Sequence, residues 1–450
     1  MLENFGQYST IRWLAILSRG ETILTTPLDI PAILLVLATL FGALNYWFIK
    51  LPHTIGLMVI ALIASLGLVG LDLIQPSLGL SNLVNNFLAN IDFNVTLMQG
   101  MLSFLLFAGA LHVDLAQLLS RKWIILILAS VGVVLSSVVI GTGFWFVTGA
   151  IGVSIPIAVC LLLGVMVSPT DPVAVLGILK TLRVPADLKA KIAGESLFND
   201  GVAVVLFSVL ASLAFSSGAG ETDSAVFQLS SVGVLLVKEA FGGALLGLTG
   251  GFAAFWLLRK IDDYVLEVLI TLALVTGAYA VALHLHLSGP IAMVIAGLLI
   301  GNQGTAMAMS EKTREHVETF WELIDEILNS VLFLLIGLKL VFVLQHSSNG
   351  MPINQLLPVL VATTLLSIVA RFAAISLPLQ IQATMVNVTP GTVPILTWAG
   401  IRGGVSVALA LSLPDTPESH MLLMVTYFVV LFSVIVQGLT IEAVIKKYFP

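Results

Sequence analysis

Charge is what this sequence has least of. Only 10% of its 450 residues are Asp, Glu, Lys or Arg, where a soluble protein carries about 25%. That scarcity excludes an ordinary water-exposed surface. No block of like charge is present, which argues against a nucleic-acid partner. Cysteine is almost absent as well. The single Cys160 excludes a disulfide within the chain and a cysteine metal cluster. The opening Met-Leu-Glu-Asn-Phe lacks the basic start and cleavage site of a secretory signal, so the first spans are expected to direct insertion themselves. No soluble domain fits anywhere, and no cofactor is implied.

What fills the space is apolar. The chain is 58% hydrophobic, its mean hydropathy is +1.08, and runs of about 20 apolar residues recur, the length that spans a bilayer as helix. The expected fold is all-α and polytopic, with about thirteen membrane helices. The apolar segments lie at 29–48, 54–74, 98–118, 123–149, 154–180, 186–215, 230–258, 264–285, 288–303, 317–345, 354–381, 392–413 and 420–445. Residues 1–28 contain Arg12, Trp13 and Arg19 and read as an interfacial segment, with the transmembrane domain occupying 29–450.

The basic residues predict orientation. Lys50, Arg121 with Lys122, Lys180 and Arg183 with Lys189 and Lys191, Arg259 with Lys260, Lys312 with Arg314, and Lys446 with Lys447 fall after or around odd-numbered spans, and the loops after even-numbered spans carry no Lys or Arg; the exceptions are Arg12 and Arg19 outside, Lys238 and Lys339 near outer helix ends, and Arg371 and Arg402 inside spans. That alternation puts the C-terminus in the cytoplasm and the N-terminus outside, in a cell membrane, most simply a bacterial inner membrane. Two six-span halves fit the layout, about 29–215 and 264–450, joined by a linking helix at about 230–258. They would be inverted with respect to each other, which places a binding site at the midplane on interrupted helices. Span 5 is expected to break at Ser-Pro-Thr-Asp-Pro (168–172), where prolines remove backbone donors. Span 12 is expected to unwind at Ala-Gly-Ile-Arg-Gly-Gly-Val (399–405).

Against this apolar background stands Asp200, deep in span 6. An ionised Asp at that depth costs at least roughly 2.5 kcal/mol, so a chain keeps one where its charge is used. It ends the run Gly-Glu-Ser-Leu-Phe-Asn-Asp (194–200). Residues four apart share a helix face, so Ser196 lies under Asp200 and Glu195 under Asn199. Asp171 lies at comparable depth in span 5. A small hard cation takes oxygen ligands. Asp200, Ser196, Asp171 and the freed backbone around Thr170 supply them, with Asp200, Ser196 and Thr170 read as the Na+ contacts. Burial penalises the Asp200 anion while a bound cation favours it, so proton and cation would compete for one group. The plainer alternatives are an Asp200 paired with a basic residue to hold the bundle, and an Asp171 that only caps the second half-helix.

Other polar residues in the spans read as structural. Glu195 and Arg402 lie at mid-depth on spans that meet in the inverted arrangement, and a buried ion pair is the natural account. Arg371, at mid-depth in span 11, would neutralise half-helix carbonyl ends. Asn329 and Ser330 read as a polar contact between helices. Glu267, near a span end, reads as solvated. Gly243, Gly247 and Gly251 form a close-packing face, inside the protomer or between protomers.

Together these motifs resemble the monovalent cation:proton antiporter family. They are Gly-Glu-Ser-Leu-Phe-Asn-Asp-Gly (194–201), Ser-Pro-Thr-Asp-Pro (168–172), the segment from Phe-Trp-Glu to Leu-Ile-Gly-Leu (320–338) and Gly-Ile-Arg-Gly-Gly-Val (400–405). The chain is most similar to the NhaP-type sodium/proton antiporters, relatives of the animal sodium/proton exchangers. The resemblance implies a secondary antiporter, not an enzyme, that exchanges Na+ or Li+ for H+ in the service of pH homeostasis. It implies Asp200 as the carrier carboxylate, with Asn199, Thr170, Asp171 and Ser196 lining the site. Asn199 in the Asn-Asp pair implies electroneutral, one-for-one exchange. The resemblance also implies Glu195–Arg402 as a buried ion pair, Arg371 near the helix crossing, and a homodimer in membrane lipid that moves a six-helix core. Ala108 stands where some members carry a glutamate. A K+/H+ antiporter is the near alternative. An intramembrane aspartyl protease using Asp171 and Asp200 is the distant one, and no Gly-x-Gly-Asp stands at either position.

Overall fold

A backbone inside a bilayer has no water to bond, so it must satisfy its own donors and acceptors, and helices do that. The computed structural model describes residues 28–75, 91–92, 95–172, 175–177, 179, 182, 184–215, 225–304, 309–346, 353–383 and 391–449. Among these the regular structure is helical throughout, with no strand. Eight of the described helices are long and apolar enough to cross a membrane, alongside shorter apolar ones. The chain is a multi-pass membrane protein. The expected interfacial segment 1–28 falls almost wholly outside the described residues.

Two sets of helices pack mainly among themselves. The first contains α1 (Asp29–Leu44), α2 (His53–Ile74), α3 (Leu102–Leu111), α8 (Ala225–Leu258), α9 (Tyr264–His284), α10 (Gly289–Leu299) and α11 (Glu311–His346). The second contains α5 (Lys122–Ala150), α6 (Ile157–Val167), α7 (Ala186–Phe215), α12 (Ile353–Ala383), α13 (Thr392–Trp398), α14 (Gly404–Leu411) and α15 (Pro417–Phe432). The short α4 (Leu115–Ser120) starts under an Asp114 cap that accepts from Ala116 N at 2.8 Å. α16 (Gly438–Tyr448) closes the chain. Side-chain caps also start α9, at Asp263, and α15, at Thr416.

The three glycines spaced by four in α8 resolve to an internal seam. A side chain at Gly243 or Gly247 would collide with the backbone carbonyls of Ser288 or Ala292 on α10, and one at Gly251 would crowd Ala296. Small residues allow the two backbones to touch, which is how membrane helices gain dispersion energy without a hydrophobic drive. This face belongs inside the protomer.

Two helices of the second set are interrupted, as the prolines and glycines imply. α6 stops at Val167, and residues 168–172 leave the helix. α13 stops at Trp398, and residues 400–403 are non-helical before α14 begins. The two breaks touch: Asp171 N donates to the Ile401 carbonyl at 2.7 Å. Proline alone does not decide such a break. Pro358 and Pro378 both sit inside the continuous α12.

Candidate functional site

The crossing of the two breaks leaves backbone carbonyls without helical partners, and arginine serves them. Arg402 lies within the unwound glycine segment and is buried. Its Nη1 donates to the Ser168 carbonyl and, at 3.3 Å, to the Pro169 carbonyl. These carbonyls end α6, where the helix dipole is negative. The Arg402 backbone N donates to Ser433 Oγ at 2.8 Å, fixing the break to the chain that follows α15.

Arg371, from the middle of α12, makes the ion pair. Its Nη2 donates to Glu195 Oε2 at 2.8 Å and its Nη1 to Glu195 Oε1. Nη2 also reaches the Leu396 carbonyl in α13 at 3.3 Å. The sequence reading assigned Glu195 to Arg402; the structure pairs it with Arg371 instead. The physical reason is lateral position, which depth along a span does not supply. α7 presents Glu195 toward α12, while Arg402 points along the crossing to the α6 end. Both arginines donate to carbonyls of the interrupted helices, Arg371 to Leu396 and Arg402 to Ser168 and Pro169.

The Asn-Asp pair divides its labour by helix face. Asn199 is fully buried. Its Nδ2 donates to Thr170 Oγ1 at 2.8 Å, and Thr170 N approaches Asn199 Oδ1 at 3.4 Å. Thr170 Oγ1 also shares a hydrogen bond with Ser196 Oγ at 3.0 Å. Asn199 therefore holds the broken segment against α7 from behind. Asp200, 8% exposed, lies about 100° round the helix from Asn199, and with Ser196 and Thr170 it lines a cavity.

That cavity has a volume of about 290 Å³ and lies between the two helix sets. Thr170, Asp171, Ser196 and Asp200 line one wall and residues of α3 and α11 the other. Four of the five residues expected at the site thus meet in one space, and the fifth, Asn199, braces them. Gly403 explains how Asp171 fits: a Cβ there would collide with the Asp171 carboxylate. The arrangement offers two carboxylates and two hydroxyls to a cation, at the seam between two packing units.

Several residues of the cavity were not read as functional from sequence. Glu322, Asp325 and Glu326 line it from α11. Their spacing of three and four places them on one helix face, a signal present in Phe-Trp-Glu-Leu-Ile-Asp-Glu (320–326). Asn329 also lines it, rather than serving as a helix contact; its neighbour Ser330 does make that contact, with His53 Nε2 at 2.9 Å. Ser406, two residues past the Gly-Gly of the unwound segment, lines it too. Glu267 departs from expectation elsewhere: it is fully buried, not solvated, because α11 begins beside it near Thr313.

Comparison with known proteins identifies the family. Residues 34–447 fit the family described as sodium/hydrogen exchanger, transmembrane. The chain is 44% identical over 426 residues to a Na+/H+ antiporter NhaP of Pseudomonas aeruginosa, covering 94% of this chain and 97% of that one. It is 35% identical over 404 residues to a Na+/H+ antiporter NhaH of Halobacillus dabanensis, covering 89% and 92%. Among solved structures it resembles the sodium proton antiporter MjNhaP1 of Methanocaldococcus jannaschii at pH 8, with a TM-score of 0.70 at 18% identity over 93% of this chain and 97% of that one. The last likeness speaks to the fold.

Proposed function

The chain belongs to the sodium/hydrogen exchanger family, and from that premise we propose that it exchanges Na+ for H+ one for one, on the carboxylate of Asp200. The protein is a transporter and not an enzyme, as its relatives are. The observation that carries the reading is the shared cavity: Asp200, Asp171, Ser196 and Thr170 line one space at the seam of two helix sets, beside two crossed helix breaks.

Asp171 and Asp200, the two carboxylates on the broken-helix wall of the cavity, cannot both stay charged in low-dielectric surroundings without a counter-ion. A proton on Asp200 meets that need, and so does a bound Na+. The Na+ would take Asp200 and Asp171 oxygens, the Ser196 and Thr170 hydroxyls, and the backbone of the break. Each occupant brings one positive charge, so the loaded site carries the same charge in either case. An unloaded anionic site would cross the low-dielectric layer at a cost of several kcal/mol. Movement is therefore restricted to loaded states, and that restriction is exchange. Asn199 takes up no proton, so the count stays at one proton per cation.

Arg371 and Arg402 play no part in ligation in this account. They hold Glu195 and the half-helix ends so that the oxygens of the break point into the cavity. The alternation of Lys and Arg along the loops supports an N-terminus outside and a cytoplasmic C-terminus, and the family resemblance supports a homodimer. Everted membrane vesicles carrying an imposed pH gradient test the function. Added NaCl should collapse the gradient, and a series with LiCl and KCl ranks the cations. No response to any alkali cation across the neutral pH range would overturn the proposal.

A further inference from the structure

Two polar atoms in the cavity wall lack a hydrogen-bond partner among the described residues. Asn329 is 2% exposed and Ser406 1% exposed. Among the described residues, Asn329 Nδ2 and Ser406 Oγ have no hydrogen-bond partner. Buried polar groups without partners are rare, and each such group forfeits its hydration energy for nothing unless something occupies the space beside it. Both residues line the same cavity as Asp171 and Asp200.

They come from helices that touch. A side chain on Gly404 would collide with Leu332, so α14 and α11 touch at that point. Asn329 is one turn before Leu332 on α11, and Ser406 is two residues past Gly404 on α14. Both residues line the same cavity, Asn329 from one helix set and Ser406 from the other. Neither belongs to the carboxylate cluster, and neither carries charge.

The polarity and room of the cavity suit water, which satisfies unpaired buried groups where two or more polar partners converge. A cation at Asp200 and Asp171 would share that space. We infer that Asn329 and Ser406 hold the water molecules that complete the oxygen shell of the cation, so that it binds partly hydrated and the pair sets cation specificity. An amide or a hydroxyl can each donate to, or accept from, such water. Retained water discriminates among alkali ions by how tightly each holds its own shell.

This inference rests on the exchange reading above, and the test separates the two. Ser406→Ala and Asn329→Ala are reconstituted as full chains in proteoliposomes beside the unsubstituted protein. Exchange is measured against NaCl, LiCl and KCl, with folding checked by thermal transition. Loss of one water-mediated contact should raise the half-saturating Na+ concentration about 2- to 10-fold, the equivalent of one modest hydrogen bond, at an unchanged maximal rate. It should also alter the ratio of Li+ to Na+ affinity. A merely structural Ser406 would move neither quantity, since deleting a hydroxyl without a protein partner removes a burial penalty and leaves the fold as stable or more so. If the unsubstituted chain exchanges, and folded Ser406→Ala keeps both Na+ affinity and cation ratio, the inference is overturned and the exchanger reading stands. If the unsubstituted chain exchanges nothing, the exchanger reading fails and this inference with it. Should Asn329→Ala not fold, Ser406→Ala decides alone.

Discussion

Glu195 is held by Arg371, through both carboxylate oxygens and both terminal guanidinium nitrogens, inside the helix set that carries the broken helices. This pair ties α7, which carries Asp200, to α12. Removing one partner leaves the other buried and unpaired, at a cost of about 3–5 kcal/mol. Arg371→Ala and Glu195→Ala should each lower the thermal transition sharply, and the double variant should cost little more than either alone. The same cycle between Glu195 and Arg402 should show a much smaller coupling. Near-equal couplings would contradict the pairing described here.

Arg402→Ala removes donors to the Ser168 and Pro169 carbonyls but leaves no buried carboxylate behind. The expected loss is about 1–3 kcal/mol of stability, with a lower yield of folded protein before any change in Na+ affinity. A stable variant with altered affinity alone would place Arg402 at the ion instead.

Asn199 positions Thr170. Asn199→Ala leaves the Thr170 hydroxyl with one partner fewer in a buried place, again about 1–3 kcal/mol. It should loosen the break and raise the half-saturating Na+ concentration, while exchange remains insensitive to membrane potential. A voltage-clamped vesicle assay checks the last point. Rates of the unsubstituted chain that follow the clamped potential would contradict one-for-one exchange.

Most of the architecture was legible because bilayer physics is strict. Apolar length gave helices, and the prolines around Asp171 and the glycines around Arg402 gave the breaks. The partners of the arginines were not legible. Arg371 and Arg402 lie at similar depth, and depth is all that a span boundary provides; which neighbour faces which is set by lateral packing. Pro358 and Pro378 show the same limit from the other side, since proline removes a backbone donor and yet both lie within a continuous helix. Asn329 reads as a helix contact because it carries no charge, and nothing in the letters separates Ser406 from the many hydroxyls that bond to their own helix, as Ser137 Oγ does to Val133 O.

Gly403→Ala is the sharpest small change available. A single methyl would collide with the Asp171 carboxylate, so the carboxylate or the break must shift. Na+ affinity should fall without loss of any ligand atom, as read by the half-saturating concentration in everted vesicles. Unchanged affinity would mean that the Asp171 position does not matter to the cation.

Competition for one carboxylate sets the pH dependence. Where the Asp200 proton must leave before Na+ binds, the half-saturating Na+ concentration should rise in proportion to proton activity as pH falls, at constant maximal rate. A pH-independent affinity with a falling maximal rate would indicate separate sites for the two ions.

The most direct test counts both ions in one preparation. Proteoliposomes of the unsubstituted chain and of Asp200→Asn are loaded with a pH-sensitive dye and supplied with radioactive Na+. The account predicts equal numbers of Na+ and H+ moving in opposite directions through the unsubstituted protein, and neither movement in folded Asp200→Asn. Proton-coupled Na+ transport that survives in Asp200→Asn would contradict it.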